Sequence, residues 1–120
     1  MIFGIGCDLC DIERIKKANE RFFMRCFTSA ENELFARKPD RFETAAANFA
    51  AKEAFSKALG TGVRGFALNE VEVLRDETGK PFIKLYGNAE KLCRSRGING
   101  IFVSLSHTSG IAAAYVVLEL

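Results

Sequence analysis

The sequence predicts an α+β domain in which an antiparallel sheet packs against one long helix. The chain has 120 residues, the common size of a single compact domain, so we expect residues 1–120 to share one core. The predicted elements follow the order βαααββαββ, with grouped helices and strands joined mainly by hairpins. The alanine-rich segment 43–59 predicts the long helix.

The first part of the chain predicts one strand and two helices. Residues 1–10 open with apolar β-formers and predict the first strand, after which Asp11 is the expected helix cap. Apolar side chains then recur at helical spacing while basic side chains line another face, which predicts one basic helix over residues 14–25. The string 28–31 resembles a capping sequence for a second helix that runs to about Ala36.

The second part of the chain predicts the long helix and two hairpins. Residues 43–59 contain seven alanines and neither Gly nor Pro, and Gly60 follows where a left-handed residue is favoured. The remaining predicted elements are strands at 69–75 and 82–86, a helix at 88–96, and strands at 101–108 and 111–118. No internal repeat or linker interrupts them.

Composition excludes several classes of protein. Hydrophobic residues at 48% and charged residues at 27% exclude a disordered or collagen-like chain, and a net charge of +2 is too low for coating nucleic acid by charge alone. The positive charge is concentrated, because residues 14–41 hold eight basic and four acidic side chains. No apolar run approaches the roughly 20 residues that a membrane span needs. We therefore expect a cytoplasmic protein without a membrane partner.

The four cysteines lie at irregular spacings, which favours free thiols over a disulfide framework. Cys7 and Cys10 form a C-x-x-C pair, but the chain offers one His and no second such pair to complete a zinc site. We interpret these two cysteines as small, partly buried side chains of the first strand.

Three charged residues lie at positions where a charge indicates a specific partner or ligand. Asp8 lies near the end of the first predicted strand, and Glu53 interrupts the mainly apolar stripe of the long helix, where an unpaired carboxylate is unfavourable. In the simplest interpretation Asp8 caps the next helix and Glu53 pairs with Lys57 at i+4. Alternatively, Asp8 and Glu53 bind one divalent cation while Lys57 faces phosphates that complete its coordination, an arrangement typical of magnesium.

Two further segments suit an anionic ligand. His107, the only histidine, stands among hydroxyl residues near the end of a predicted strand. A glycine-rich basic loop, 60–65, follows the long helix and contains Arg64. Each feature also has an ordinary explanation, since a strand histidine is commonly structural and the glycines would serve to end a helix.

Four strings of the sequence occur in an order typical of one family. They are G-I-G-C-D-L-C-D-I-E-R-I at 4–15, F-A-A-K-E-A-F-S-K-A-L-G-T-G at 49–62, G-K-P at 79–81 and S-L-S-H-T at 104–108. The first is similar to the opening G-[IV]-G-x-D-[IL]-x-x-[IV]-x-R-[IV] of the holo-acyl-carrier-protein synthases, the small 4′-phosphopantetheinyl transferases. The second resembles the signature helix of that family almost residue for residue, and together the strings cover essentially the whole chain.

The resemblance implies a fold, a reaction and a set of site residues. The reaction is transfer of the 4′-phosphopantetheine group of coenzyme A to a serine hydroxyl of apo-acyl carrier protein, with release of adenosine 3′,5′-bisphosphate, in support of fatty acid biosynthesis. Asp8 and Glu53 match the ligands of a Mg²⁺ cofactor, and both are expected to be catalytic together with Lys57. The residues expected at the coenzyme A site are Lys52, Lys57, Gly60, Gly62, Arg64, Ser106, His107 and Thr108. The basic residues expected to receive the acidic carrier are Arg14, Lys17, Arg21 and Arg25.

The resemblance also implies a homotrimer whose active sites lie between neighbouring copies.

The chain departs from the pattern of the family at one position that concerns the substrate phosphates. Many members of the family have Arg immediately before F-A-A-K-E-A, where this chain has Asn48. The candidates for holding the adenosine-side phosphates are therefore Lys52, Arg41 and Arg64.

Two other functions compete with this interpretation. The basic helix 14–25 could instead serve a non-catalytic RNA- or protein-binding module, which would bind without Glu53 or magnesium. The chain shows no aromatic stacking motif on a strand, so RNA is disfavoured. The acidic pair could also belong to a magnesium-dependent nucleotide hydrolase that needs no acceptor protein.

Overall fold

The computed structural model describes all 120 residues and contains five strands and five α-helices. The strands are β1 (Ile2–Asp11), β2 (Val71–Arg75), β3 (Pro81–Leu85), β4 (Gly100–Thr108) and β5 (Ile111–Glu119). The helices are α1 (Ile12–Lys16), α2 (Glu20–Cys26), α3 (Ser29–Ala36), α4 (Arg41–Leu59) and α5 (Gly87–Ser95), and a 3₁₀ turn at Leu68–Glu70 precedes β2. The predicted α+β class is confirmed.

The strands form two antiparallel sheets. The larger sheet has the order β1-β5-β4, and the β2-β3 hairpin forms a separate two-stranded sheet. In the larger sheet Asp8 lies opposite Ala114 of β5, and Ala114 lies opposite Leu105 of β4. This register brings the ends of the first and fourth strands to the same region of the sheet.

Helix α4 packs on the inner face of the larger sheet, as predicted, and its seven alanines are all buried. Their small side chains let β1 approach the helix backbone closely. A Cβ added at Gly4 would lie 2.0 Å from the carbonyl oxygen of Ala58, and one at Gly6 would lie 2.0 Å from that of Ala54. The two glycines of the opening string therefore serve this contact.

The predicted single basic helix is wrong, because residues 14–25 form two short helices. Helix α1 ends at Lys16, with Lys17 as its C-cap. The Asn19 side chain then accepts a hydrogen bond of 2.9 Å from the backbone N–H of Phe22 and starts α2. An Asn that satisfies the free N–H groups of a new helix favours a break over a continuous helix.

The cysteines of the C-x-x-C pair lie on opposite faces of β1. Cys7 is exposed and Cys10 belongs to the core, where burial raises the pKa of its thiol to about 11. All four cysteines of the chain are unpaired.

No helix combines the length and the apolar character needed to cross a membrane.

Candidate active site

The structure brings Asp8 of β1 and Glu53 of α4 close enough for their charges to interact. Burial raises the pKa of Glu53, and the negative charge of Asp8 raises it further. The positive charges of Arg14 and Lys57 act in the opposite direction. Two carboxylates and two cations therefore meet where the first strand crosses the long helix.

Lys57 bonds across to β1. Its Nζ donates to the Oδ1 of Asp8 at 2.9 Å and to the carbonyl oxygen of Cys7 at 3.0 Å, and the bond to Asp8 raises the pKa of Lys57. The simpler interpretation paired Lys57 with Glu53 and used Asp8 as a helix cap. Both parts are wrong, because Lys57 pairs with Asp8, and Asp11 caps α1 through a bond of 3.0 Å from the N–H of Glu13.

The donor set of this site suits a divalent cation bound to a phosphorylated substrate. Asp8 and Glu53 are the residues that could hold the ion, and a site with two carboxylates leaves positions for water and phosphate, as Mg²⁺ prefers. Burial and the charge of Asp8 raise the pKa of Glu53 more than Arg14 and Lys57 lower it, so the protein alone disfavours the ionised carboxylate. A cation between the two carboxylates would supply that compensation.

His107, Ser106 and Thr108 lie at the exposed end of β4. The Nδ1 of His107 lies 3.5 Å from the Oε2 of Glu43, near the start of α4. Ser106 and His107 line a cleft of about 200 Å³ together with Glu43 and Arg75.

The acidic site and the His107 cleft are separate within one chain. Asp8 and Lys57 line a different cleft, which includes Tyr115 on the outer face of the larger sheet. Glu43, which faces His107, precedes Glu53 by ten residues, a distance of roughly 15 Å along a helix axis. A ligand that contacts both the acidic site and the His107 cleft of one chain would have to span this distance. Alternatively, a second copy could bring its own His107 cleft next to the acidic site.

The glycine-rich loop begins at the end of α4. Gly60 has a φ of 85°, and its N–H donates to the carbonyl oxygens of Ser56 and Lys57, which is the ordinary role of a C-terminal glycine. Gly62 has a φ of 64° and would have open space around an added Cβ. Arg64 is exposed in this loop.

Arg14 links the basic segment to the acidic site. Its guanidinium lies 5.3 Å from the centre of the Phe49 ring on α4, and its positive charge lowers the pKa of Glu53. Lys17, Arg21 and Arg25 are exposed on α2 and the turn before it. Arg14 therefore differs from the other three basic residues because its charge reaches the acidic pair.

Lys52 does not belong to a surface phosphate site, so that expectation is wrong. Its side chain is 0% exposed, and its Nζ donates to Oε1 of Glu31 at 2.7 Å and to the carbonyl oxygens of Leu68 and Val71. These bonds use all three donors of the ammonium. Burial lowers the pKa of Lys52, and Glu31 offsets part of that effect.

Sequence reasoning missed Arg75. Asn48 is fully buried and donates to the Oε2 of Glu31 at 2.9 Å and to the carbonyl oxygen of Val73 at 2.8 Å. Its Oδ1 accepts a bond of 2.8 Å from Arg75 at the end of β2. Arg75 stands 27 residues from Asn48 in the chain, so no local pattern could connect them.

Comparisons with known proteins identify one family. A family model described as the 4′-phosphopantetheinyl transferase superfamily matches residues 4–116. The holo-[acyl-carrier-protein] synthase of Clostridium botulinum strain Eklund 17B is 49% identical over 123 residues, covering 100% of this chain and 99% of the relative. That of Lachnoclostridium phytofermentans is 46% identical over 122 residues, covering 100% and 98%.

Solved structures share the whole fold. The holo-[acyl-carrier-protein] synthase of Neisseria meningitidis superposes with a TM-score of 0.92 at 34% identity and covers 100% of both chains. The Bacillus anthracis enzyme, solved in complex with coenzyme A (3′,5′-ADP), superposes with a TM-score of 0.82 at 34% identity, covering 98% and 96%. Since the family model spans the strand and helix that carry Asp8, Glu53 and Lys57, this chain belongs to the 4′-phosphopantetheinyl transferase superfamily.

Proposed function

We propose that this protein is a holo-acyl-carrier-protein synthase. It transfers the 4′-phosphopantetheine group of coenzyme A to a serine hydroxyl of apo-acyl carrier protein and releases adenosine 3′,5′-bisphosphate. The observation that carries this proposal is the meeting of Asp8, Glu53 and Lys57 at the crossing of β1 and α4. Relatives of nearly equal length, 49% and 46% identical, carry the name of this activity.

Asp8 and Glu53 hold magnesium in this proposal. When bound, the ion neutralises charge on the coenzyme A diphosphate. The two carboxylates alone would repel a diphosphate, so productive binding of coenzyme A depends on the cation. The Lys57 ammonium stabilises negative charge that develops on the leaving phosphate, since transfer of this kind depends on alignment and electrostatic stabilisation. The 56% exposure of the Lys57 side chain lets the ammonium exchange Asp8 for a substrate phosphate.

The acidic carrier docks on the positive surface of α1 and α2 in this proposal. Lys17, Arg21 and Arg25 are exposed there, and Arg14 connects this surface to Glu53. A carrier bound on this side would present its serine close to the acidic pair. The surrounding positive charge would steer a negatively charged partner at low salt.

We further propose that the active enzyme is a homotrimer. The outer face of the larger sheet exposes a contiguous set of apolar side chains, including Ile5, Leu9, Phe102 and Tyr115. A patch of this kind supports association with another protein surface. Because the acidic site and the His107 cleft are separate in one chain, a neighbouring copy would supply His107 to the acidic site.

The free thiols support a reducing, cytoplasmic location.

One assay tests the reaction directly. The purified protein is mixed with coenzyme A, magnesium and apo-acyl carrier protein, and the carrier is weighed by mass spectrometry. We expect a phosphopantetheine adduct that is absent without magnesium or with a carrier whose acceptor serine is replaced. Release of adenosine 3′,5′-bisphosphate without an adduct would instead identify a hydrolase and overturn the proposal.

A further inference from the structure

The guanidinium of Arg75 is a half-buried cation that no carboxylate neutralises at close range. It lies at the end of β2, forms no ion pair within 4.0 Å, and has hydrogen bonds only to Asn48 and to the carbonyl oxygen of Leu74. Burial lowers the pKa of Arg75, and the more distant charge of Glu31 offsets this in part. An arginine in this setting has donors and positive charge left for a ligand.

Asn48 fixes the direction of this guanidinium. The Asn48 amide nitrogen is committed to Glu31 and to the carbonyl oxygen of Val73, so its amide oxygen must face Arg75. The bond of 2.8 Å uses one N–H of the arginine, and the bond of 3.3 Å to Leu74 uses another. Three of the five N–H donors of an arginine remain.

Arg75 lines a cleft that also contains a serine hydroxyl and a histidine imidazole, two groups that can donate hydrogen bonds to a phosphate. The cleft has a volume of about 200 Å³, and its other polar side chains are Asp40, Glu43, Thr44, Ser106 and His107. Ser106 and His107 supply a hydroxyl and an imidazole on the β4 side. Glu43 faces His107 at 3.5 Å, so one of the two carboxylates already has a partner within the cleft.

We propose that Arg75 binds the phosphate monoester on the ribose of coenzyme A. This inference rests on the proposed function and on the coenzyme A site that the family resemblance implies at Ser106 and His107, which line the same cleft as Arg75. Coenzyme A carries a diphosphate and a separate ribose phosphate, and the diphosphate belongs to the Asp8, Glu53 and Lys57 site. Arg75 binds the other group with the planar, charge-assisted donors that suit phosphate.

Arg75 also accounts for the unusual residue at position 48. Many members of the family carry Arg there, and Asn48 cannot supply a positive charge. In this chain the cation comes from β2, and Asn48 holds it in place through a bond of 2.8 Å. Arg75 thus replaces Lys52, whose ammonium is buried, among the candidates for the adenosine-side phosphates.

The test compares coenzyme A with 3′-dephospho-coenzyme A as substrates for Arg75→Gln. Glutamine keeps a donor for Asn48 and removes the charge. We expect the KM for coenzyme A to rise about 10-fold or more, the effect of losing a hydrogen bond to a charged group, while the KM for the dephospho form changes less than about 2-fold. Arg75→Lys should retain part of the preference for coenzyme A. Lys84→Gln, at an exposed lysine of β3, is the matched control.

Each outcome supports or overturns the assignment. If Arg75→Gln impairs both substrates equally, Arg75 is structural and the inference fails. It also fails if the unaltered enzyme does not prefer coenzyme A to its dephospho form. Calorimetry with adenosine 3′,5′-bisphosphate and adenosine 5′-monophosphate gives a readout that needs no turnover, and we expect Arg75→Gln to weaken only the bisphosphate. If the unaltered enzyme binds the bisphosphate selectively but modifies no carrier, the proposed function fails while this inference stands.

Discussion

The ionised carboxylate of Glu53 is unfavourable in the acidic site. Burial and the charge of Asp8 raise its pKa in the folded protein above the value in an unfolded chain. Within the pH window between those two values the folded state binds more protons than the unfolded state. Stability therefore falls as pH rises through the window, and the ionised Glu53 opposes folding above it. Magnesium would remove this penalty by binding the ionised pair.

Replacement of Glu53 by Gln should therefore separate stability from activity. Without magnesium, Glu53→Gln should unfold at the same temperature as the unaltered protein or higher at neutral pH, because it lacks the unfavourable charge. Its kcat/KM should fall by about 100-fold or more, as when a group that stabilises the transition state is removed. Thermal unfolding and the carrier assay measure both effects.

Magnesium provides the second half of that test. The ion should raise the unfolding temperature of the unaltered protein and have a much smaller effect on Glu53→Gln. Glu33→Gln, at an exposed carboxylate on α3, is the matched control and should behave like the unaltered protein. Near-normal turnover of Glu53→Gln at saturating magnesium would contradict the assignment of Glu53 as a ligand.

Some site residues could be predicted from the sequence, and others could not. Glu53 stood out because a carboxylate interrupted an apolar helical stripe, and that signal is local. Lys52 belongs to the same helix, but its partner Glu31 is 21 residues away and on another element. The bond between Arg75 and Asn48 likewise joins two elements, across 27 residues of the chain. Buried polar pairs of this kind depend on tertiary contacts that no spacing along the chain encodes.

The contact between β1 and α4 is the element pair on which the acidic site depends. Gly6 faces the carbonyl oxygen of Ala54 at a distance that leaves no room for a methyl group. Gly6→Ala should lower the free energy of unfolding by about 1–3 kcal/mol or more, because strand and helix must separate. Chemical denaturation measures this change, and Cys7→Ala at the neighbouring exposed position is the control.

A shift of β1 would also move Asp8 relative to Glu53. Gly6→Ala should consequently lose activity even under conditions where it remains folded, whereas Cys7→Ala should not lose stability. Equal stability of the two variants would contradict the close approach of strand and helix. The opening glycines were recognisable in the sequence as part of a family string, but the reason for them is visible only once the helix backbone is placed.

The basic segment shows how a helical pattern can hide a break. Apolar and basic spacing predicted one helix, and Asn19 divided it into α1 and α2. As a result Arg14 lies over Phe49 and its charge lowers the pKa of Glu53, whereas Arg21 is exposed on α2 and is not among the charges that shift this pKa. A charge reversal at Arg14 would disturb Glu53 as well as any carrier, so Arg21 is the cleaner test of docking.

Arg21→Glu should weaken association with apo-acyl carrier protein strongly at low salt and weakly at high salt, because the contribution is electrostatic and screened. Coenzyme A binding should change little. Titrations of carrier and of coenzyme A at two ionic strengths measure these effects. Arg94→Glu on α5 makes the same charge change at an exposed site and should leave carrier binding unaltered. Unchanged carrier affinity in Arg21→Glu would indicate a merely solvated surface.

At the scale of the whole molecule, one chain carries an acidic site and a separate His107 cleft, and the outer face of its larger sheet exposes apolar side chains. The outer face exposes Ile5 at 70% and Leu9 at 69% in β1, the strand of Asp8, and Tyr115 at 63% in the neighbouring β5. The α+β class and nearly all elements were predictable from periodicity and turn residues. Strand periodicity does not predict an assembly, because outward apolar residues on a strand alternate in the same way whether solvent or another copy covers them.

Mixing two damaged variants tests whether the two halves meet between copies. Glu53→Gln retains His107, and His107→Ala retains Glu53, so each variant alone should have low activity. In randomly mixed trimers about a quarter of the sites between neighbours would combine an intact Glu53 with an intact His107. We expect activity to recover toward that fraction after the two variants are unfolded and refolded together. We expect no recovery when folded trimers of the two variants are mixed under conditions in which they do not exchange chains. Sedimentation confirms the trimer in each sample. Trimers that refold together without regaining activity would show that Glu53 and His107 act within one chain or not in the same site.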